Sequence, residues 1–177
     1  MKNFYVTTPI YYPSGKLHLG HAYTTIAGDV IKRHQKQLGK EVFYLTGSDE
    51  HGEKIEKKAQ EQGVKPMEFV NPIVEDMKSL WENLGIDYDK FIRTTDESHV
   101  NQVGIIFDKL IKNGDVYIGE YESKYCTSCE SYFTDFQLNQ GKCPDCKGEV
   151  KSIKEESYFF KCSKYVDKLM KHFEEND

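Results

Sequence analysis

The 177-residue sequence lacks any apolar run that approaches the roughly 18 residues needed to cross a membrane. Its N-terminus carries one lysine ahead of polar, aromatic and proline residues, which is not the pattern of a secretory signal peptide. Basic residues are not in excess either: 24 lysines and arginines stand against 29 acidic residues, for a net charge of −5. The chain as a whole is therefore not a basic nucleic-acid binder, and any contact with nucleic acid must be local. We expect a soluble, cytoplasmic protein.

Cysteine is scarce, with five residues, yet four of the five form two Cys-x-x-Cys pairs. In a reducing compartment such pairs are typical of a metal site, whereas disulfides are the alternative in a secreted chain. Four thiolates make a closed tetrahedral site for a structural zinc ion, and iron is an alternative in the same donor set. We predict one Zn²⁺ per chain, bound by Cys126, Cys129, Cys143 and Cys146. The fifth cysteine, Cys162, is expected to be buried.

Hydrophobic periodicity predicts alternating strands and helices over the first two thirds of the chain. Runs of aromatic and β-branched residues predict three strands, at 4–8, 42–46 and 90–93. The helices are expected to end at glycines, namely Gly39, Gly63, Gly85 and Gly114. This alternation indicates a parallel sheet, and three strands amount to the first half of a doubly wound nucleotide-binding fold.

The pattern changes after Gly114. A strand from Val116 is expected to lead into the cysteine segment, and residues 149–153 and 158–161 are expected to form an antiparallel pair. Ser163 is a candidate cap for a last helix whose apolar residues face inward.

We therefore predict an α/β protein in which residues 1–115 form the first half of a Rossmann-like nucleotide-binding domain. Residues 116–177 are expected to form a small zinc-binding insertion. The last helix of the first domain is expected to open with a capping box formed by Thr94 and Glu97.

The most informative stretch runs from Tyr12 to His21, at the turn from the first strand into the first helix. In an open α/β sheet this turn is where backbone N–H groups and the positive end of a helix meet a phosphate. His18 and His21 are three residues apart, so they share one face of the first helical turn. Gly15 and Gly20 leave room for a nucleotide to approach the backbone. The stretch predicts a phosphate site with two imidazole donors.

The segment His18-Leu19-Gly20-His21 resembles the His-Ile-Gly-His signature of class I aminoacyl-tRNA synthetases, with leucine in place of isoleucine. The longer stretch 9–21 is similar to the form found in methionyl-tRNA synthetases. Two later stretches resemble the same family, Thr46-Gly-Ser-Asp-Glu-His-Gly52 and Glu155-Glu-Ser-Tyr-Phe-Phe160. The cysteine pairs look like the knuckles of that family's connective-peptide insertion. The matches occur in the family's order and cover nearly the whole sequence.

The resemblance implies a methionine–tRNA ligase, which activates methionine with ATP and Mg²⁺ and transfers it to tRNA(Met). His18 and His21 would stabilise the transition state of the activation step. The residues that would bind ATP are Pro13, Gly15, His18, Gly20 and His21. The residues that would bind methionine are Ile10, Tyr12 and Asp49, with Asp49 holding the ammonium group. Without the motif, Tyr11 is as good a candidate as Tyr12.

The family's second signature, Lys-Met-Ser-Lys-Ser, is absent from the sequence. The second half of the nucleotide fold and the anticodon-binding domain have no counterpart either. We therefore expect a truncated part of a longer enzyme that is inactive alone. Two alternatives stay open: another class I synthetase, with leucyl enzymes nearest, and a zinc-binding module without catalytic activity. The sequence indicates no oligomeric state.

Overall fold

The computed structural model describes residues 2–176, and the chain divides into two compact units, residues 1–100 and 101–177. The elements of the first unit are β1 (Asn3–Thr7), α1 (Leu19–Gln37), β2 (Glu41–Ser48), α2 (Glu53–Glu61), α3 (Pro66–Asn83) and β3 (Lys90–Arg93). The chain continues through α4 (Glu97–Lys112), which runs across the division. The second unit then adds β4 (Val116–Cys126), β5 (Ser131–Phe133), β6 (Lys151–Phe160) and α5 (Val166–Glu175).

The three strands of the first unit form a parallel sheet in the order β1-β2-β3. This arrangement confirms the predicted first half of a doubly wound fold. The predicted helix ends are confirmed as well, because the four glycines at those positions all have φ between 66° and 76°. Since parallel strands end at one edge of a sheet, the segments that follow Thr7, Ser48 and Arg93 meet there.

The core of the first unit is built between the sheet and its helices. Tyr44 of β2 and Trp81 and Met77 of α3 are completely buried in one cluster. The hydroxyl of Tyr44 donates to the carbonyl of Thr25 in α1 at 2.8 Å. A Cβ added to Gly28 would lie 2.6 Å from that hydroxyl oxygen, so glycine lets α1 approach β2 closely. The start of α1 is thereby held against the centre of the sheet.

The face that α1 buries is polar. Lys32 is 1% exposed, and its Nζ lies 3.1 Å from a carboxylate oxygen of Asp87 and 3.0 Å from one of Asp89. Burial acts to lower the pKa of Lys32, but the hydrogen bonds that its ammonium group donates to the two carboxylates, together with their negative charges, raise it overall. The apolar residues at helical spacing are exposed instead, with Leu19 at 88% and Tyr23 at 76%. Spacing alone therefore does not identify the buried face of this helix.

In the second unit, β4 lies between β5 and β6 and pairs antiparallel with both. The predicted pair of short strands at 149–153 and 158–161 is wrong, because β6 is one continuous strand. Its pairing runs from Val116 opposite Phe160 to Tyr125 opposite Lys151. The length of β4 gives the whole segment a partner, so no turn forms within it.

The predicted capping box of Thr94 and Glu97 is also wrong. Thr94 uses its hydroxyl to accept the backbone N–H of Glu50 at 2.8 Å. α4 instead begins after Asp96, whose carbonyl oxygen accepts from the N–H of Val100 at 3.0 Å.

The end of the chain differs from the predictions in two respects. Ser163 lies within a 3₁₀ turn at Cys162–Tyr165 that precedes α5, and Cys162 is exposed, not buried. The apolar residues of α5 are between 51% and 66% exposed, namely Val166, Leu169, Met170 and Phe173. No helix among residues 2–176 combines the length and apolar character needed to cross a membrane.

Candidate functional site

Two histidines cap the N-terminus of α1. His18 precedes the helix in an extended conformation, and its Nδ1 accepts from the N–H of Gly20 at 3.1 Å. In return, Nδ1 of His21 accepts from the N–H of His18 at 3.1 Å. The pair forms a reciprocal capping box in which imidazoles replace the usual hydroxyl and carboxylate. The two ring centroids are 4.0 Å apart, so the predicted proximity of the histidines is observed.

These hydrogen bonds determine which nitrogen of each ring carries the proton. A ring nitrogen that accepts an N–H bond is unprotonated, so the neutral forms of His18 and His21 hold their proton on Nε2. Burial lowers the pKa of His21, and the neighbouring charge of His18 lowers it further. Both rings thus have an Nε2–H donor at the positive end of a helix, an arrangement suited to an anion.

The other residues predicted for ATP differ in their surroundings. A Cβ added to Gly20 would lie 2.9 Å from Cε1 of His18, so glycine makes room for the capping ring. Gly15 is exposed with open space around it, whereas Pro13 is buried. Ile10, predicted for methionine, is exposed at the start of the same segment.

The end of β2 and the residue after it, Gly47 to Asp49, are hydrogen-bonded on both sides to neighbouring segments. On one side, Tyr11 donates its N–H to the carbonyl of Gly47 and accepts from the N–H of Asp49, both at 2.9 Å. On the other side, Thr94 donates its N–H to the carbonyl of Ser48 at 3.2 Å. β2 ends at Ser48, and these bonds continue the contacts of the sheet as far as Asp49.

Asp49 and Glu50 differ sharply in their contacts. The Glu50 side chain is fully buried and accepts hydrogen bonds from Ser48 Oγ at 2.5 Å, from Arg93 Nε at 2.7 Å and from the hydroxyl of Thr95. The carboxylate of Asp49 is half-buried, and no donor within residues 2–176 pairs with it. Asp49 is thus available to a ligand cation, whereas Glu50 belongs to the protein interior.

Sequence reasoning missed Glu50 and Arg93. Arg93 is 43 positions further along the chain and reaches Glu50 because β3 pairs with β2. The sequence carries no local signal for this contact.

Tyr11 joins the two parts of the site. Its ring meets the ring of His21 with centroids 5.1 Å apart, while its backbone binds the N–H of Asp49. The structure therefore brings the histidine pair and the Asp49 segment to the same residue at the carboxyl edge of the sheet. Tyr12, predicted for methionine, is half-buried, and Nζ of Lys54 lies 5.7 Å from its ring centroid.

A groove of about 610 Å³ lies between the loop before α1 and the helices α2 and α3. Its walls include Gly15 and Lys58 and the apolar side chains of Phe69 and Ile73. Among the residues described, Gly15 is the only predicted site residue that lines it. The histidine pair and Asp49 lie outside this groove.

The four predicted metal ligands come together in the second unit. Their Sγ atoms all lie within 4.8 Å of one another, with Cys126 and Cys146 at 3.5 Å and Cys129 and Cys143 at 3.9 Å. Zinc–sulfur bonds of about 2.3 Å in a tetrahedron separate the sulfurs by about 3.8 Å. The cluster therefore fits a tetrahedral zinc ion.

The backbone of each cysteine pair is a tight turn. The residue after each second cysteine is left-handed, with φ of 50° at Glu130 and 61° at Lys147. The N–H of Gly148 lowers the pKa of Cys146 to about 7, whereas burial raises the pKa of Cys126. Since thiolates are the form that binds metal, the turn around Cys146 favours a ligand even before an ion is present.

Comparisons with known proteins agree with this geometry. A family model described as tRNA synthetases class I (M) matches residues 4–155. The methionine–tRNA ligase of Clostridium tetani is 54% identical over 175 residues, and that of Caldanaerobacter subterraneus is 55% identical over 175 residues. Each alignment covers 99% of this chain and 27% of the relative, so the chain spans little more than a quarter of their length.

Two solved structures extend the comparison. Mycobacterium tuberculosis methionyl-tRNA synthetase in complex with methionyl-adenylate has a TM-score of 0.91 and 36% identity, over 99% of this chain and 35% of that one. A LeuRS–tRNA–LeuAMS ternary complex from Agrobacterium radiobacter K84 has a TM-score of 0.78 and 26% identity, over 98% of this chain and 23% of that one. From its sequence and its fold together, the chain belongs to the class I tRNA synthetases of the methionine type.

Proposed function

We propose that this chain is the part of a methionine–tRNA ligase that begins the binding site for ATP and methionine. The observation that carries the proposal is that Tyr11 brings the histidine pair and the Asp49 segment together at one edge of the sheet. The Mycobacterium tuberculosis relative holds methionyl-adenylate, the product of methionine activation by ATP. Because the chain spans 27% of its curated relatives, we assign the activity to the whole protein. We expect no aminoacylation by the 177-residue chain alone.

The histidine pair is suited to the phosphates of ATP. In the activation step the methionine carboxylate attacks the α-phosphorus and pyrophosphate leaves, so negative charge builds on the phosphate oxygens. The Nε2–H groups of His18 and His21 can donate to these oxygens without transferring a proton. Pro13, Gly15 and Gly20 would complete the contacts to ATP, which brings its Mg²⁺ as substrate.

Asp49 is suited to the ammonium group of methionine. Its carboxylate has no partner within residues 2–176, so an ammonium ion there would gain a charge-assisted hydrogen bond without displacing another donor. Ile10 and Tyr12 would supply an apolar wall and an aromatic ring for the thioether side chain.

The cysteine cluster would hold one Zn²⁺ as a structural ion. Protein thiolates fill all four tetrahedral positions, which leaves none for a water molecule or a substrate. We assign residues 1–115 to the first half of the catalytic domain and residues 116–177 to the start of the connective-peptide insertion. The partner of the whole enzyme would be tRNA(Met), and its place of action the cytoplasm.

The two alternatives are less well supported. A leucyl enzyme is disfavoured because the leucyl complex matches with lower identity and a lower TM-score than the methionyl one. A zinc module without catalytic activity does not account for the first unit, which the family model covers from residue 4 onward.

The test is ATP–pyrophosphate exchange by the full-length protein with methionine or leucine as the amino acid. Asp49→Asn should raise the KM for methionine by about ten- to a hundredfold, because a charge-assisted bond contributes roughly 1.5–3 kcal/mol. The KM for ATP should change less than twofold. Asp76→Asn is the matched control, because Asp76 is an exposed acid on the wall of the 610 Å³ groove.

Two outcomes would contradict the proposal. Leucine-dependent exchange without methionine-dependent exchange would assign the chain to a leucyl enzyme. A KM for methionine that responds to Asp76→Asn but not to Asp49→Asn would place the amino acid in the groove.

A further inference from the structure

We infer that Glu50 is a positioning residue for Asp49: its buried ion pair with Arg93 directs the Asp49 carboxylate toward the amino-acid ammonium group. The inference rests on the proposed function and adds a residue to it that does not touch the substrate. It concerns Glu50, the neighbour of Asp49, for which the sequence predicted no role.

The carboxylate of Glu50 is fully engaged inside the protein. Its side chain is 0% exposed, and Oε1 accepts from Ser48 Oγ and from Arg93 Nε while Oε2 accepts from the hydroxyl of Thr95. Arg93 is itself anchored, because its Nη2 donates to Oδ1 of Asn71 in α3 at 2.7 Å. A buried charge persists only when it is paired and hydrogen-bonded, so this geometry has little freedom to change.

The hydrogen bonds made by Glu50 fix the direction of the Asp49 side chain. The N–H of Asp49 is bound by Tyr11 and the N–H of Glu50 by the hydroxyl of Thr94, so the backbone between them is held from both flanks. The side chains of Ser48 and Glu50 lie on the same side of the backbone, because Ser48 Oγ donates to Oε1 of Glu50, as side chains two residues apart do along a strand. With Glu50 drawn toward Arg93, the Asp49 side chain is directed away from it.

This arrangement is suited to binding more than to stability alone. A carboxylate without a protein partner must be held in place by its backbone if it is to meet a ligand without reorganising. The Lys32–Asp89 pair, at 3.0 Å, is an ion pair of the same kind in the same unit. Asp89 directly precedes β3 and is at the opposite end of that strand from Arg93, so a change at Asp89 serves as the control for a change at Glu50.

The experiment uses ATP–pyrophosphate exchange and thermal unfolding of the full-length protein. Glu50→Gln keeps the size of the side chain and removes its charge. We expect the KM for methionine to rise by about tenfold, the loss of roughly one charge-assisted hydrogen bond. The KM for ATP should stay within twofold. Asp89→Asn is the matched control, and it should lower the melting temperature while leaving both KM values within twofold.

A milder variant keeps the test decisive if Glu50→Gln fails to fold. Thr95→Val removes only the hydroxyl that donates to Oε2 of Glu50, and the KM for methionine should rise about threefold with the KM for ATP unchanged. Equal rises of both KM values, or a lower melting temperature with an unchanged KM for methionine, would overturn the positioning role. Wild-type protein without methionine-dependent exchange would instead refute the proposed function, so the two failures are distinct.

Discussion

The ring of Tyr11 meets the ring of His21 edge-on, with their centroids 5.1 Å apart and their planes at 80°. The hydroxyl of Tyr11 also shares hydrogen bonds with the hydroxyls of Thr24, at 2.8 Å, and Thr25, at 2.7 Å. These contacts hold the first turns of α1 against the segment that follows β1. Tyr11 thereby sets the position of His21 relative to the sheet.

Tyr11→Phe tests this relationship, because it keeps the ring and removes the hydroxyl. We expect the free energy of unfolding to fall by about 1–3 kcal/mol, because two hydrogen bonds of roughly 0.5–1.5 kcal/mol each are lost. We also expect a lower kcat for ATP–pyrophosphate exchange in the full-length protein, because the first turns of α1 would be held less firmly. Urea unfolding and exchange kinetics are the measurements.

Tyr44→Phe is the matched control for that variant. Its hydroxyl also bonds to Thr25, through the carbonyl oxygen at 2.8 Å, but Tyr44 lies in the core and, within residues 2–176, shares no hydrogen bond or ring contact with His18 or His21. A loss of stability of about 0.5–1.5 kcal/mol, for its one hydrogen bond, with an unchanged kcat is expected. If both variants lowered kcat equally, the contact between Tyr11 and His21 would have no special role.

A second prediction concerns the titration of His21. Burial and the neighbouring charge of His18 lower its pKa, and His18→Ala removes the second cause. The pKa of His21 should therefore rise in the variant while staying depressed by burial. Two-dimensional NMR of the imidazole nitrogens measures this pKa. An unchanged His21 curve would show that the two rings do not interact electrostatically.

The lowered pKa of His21 also makes the stability of the fold depend on pH. Because the pKa of folded His21 lies below the unfolded value of 6.5, the unfolded chain takes up its proton first as the pH falls. The contribution of His21 to stability is therefore lost from about pH 6.5 down to its folded pKa. The loss over this window should be smaller in His18→Ala, as chemical unfolding at a series of pH values would show.

The features that the sequence predicted correctly depend on residues close together in the chain. Helix ends at glycines such as Gly39 and Gly85 were predicted correctly because a left-handed residue after a helix is a local property. The cysteine pairs were predictable because each pair forms its own turn. The closeness of the two histidine rings was predictable from their spacing, but their place on one helical turn was not, because His18 is the extended residue that caps α1 and only His21 lies within the helix.

The features that the sequence did not indicate depend on contacts between distant segments. β6 is continuous only because β4 is long enough to pair with all of it. α1 buries Lys32 because Asp87 and Asp89 come from a loop more than 50 positions later. Glu50 was overlooked because Arg93 becomes its partner only when β3 joins the sheet. No pattern within a short window contains this information.

A third prediction tests the close approach of β2 and β3. A Cβ on Gly47 would lie 2.1 Å from the carbonyl oxygen of Ile92, which is backbone and cannot move without shifting the strand. Gly47→Ala should therefore lower the free energy of unfolding by about 1–3 kcal/mol. Gly104→Ala is the control, since Gly104 lies within α4 with nothing within 4 Å of the added Cβ, and it should raise stability by about 0.5–1 kcal/mol. Similar losses in both variants would contradict the steric explanation.

The last prediction concerns the metal. Protein purified without chelators should contain one zinc ion per chain by elemental analysis, because four Sγ atoms within 4.8 Å form a complete tetrahedral set. Cys143→Ser should lose the ion, since Cys143 is fully buried within the cluster. Such sites contribute about 10–16 kcal/mol in zinc-finger peptides, so the segment between β4 and β6 should unfold when the metal is removed.

Cys162→Ser is the control, because Cys162 is exposed and lies outside the cluster, and it should retain the ion. Iron in place of zinc would show as visible absorption of the purified protein. Metal retained in Cys143→Ser, or lost in Cys162→Ser, would contradict the assignment of the four ligands.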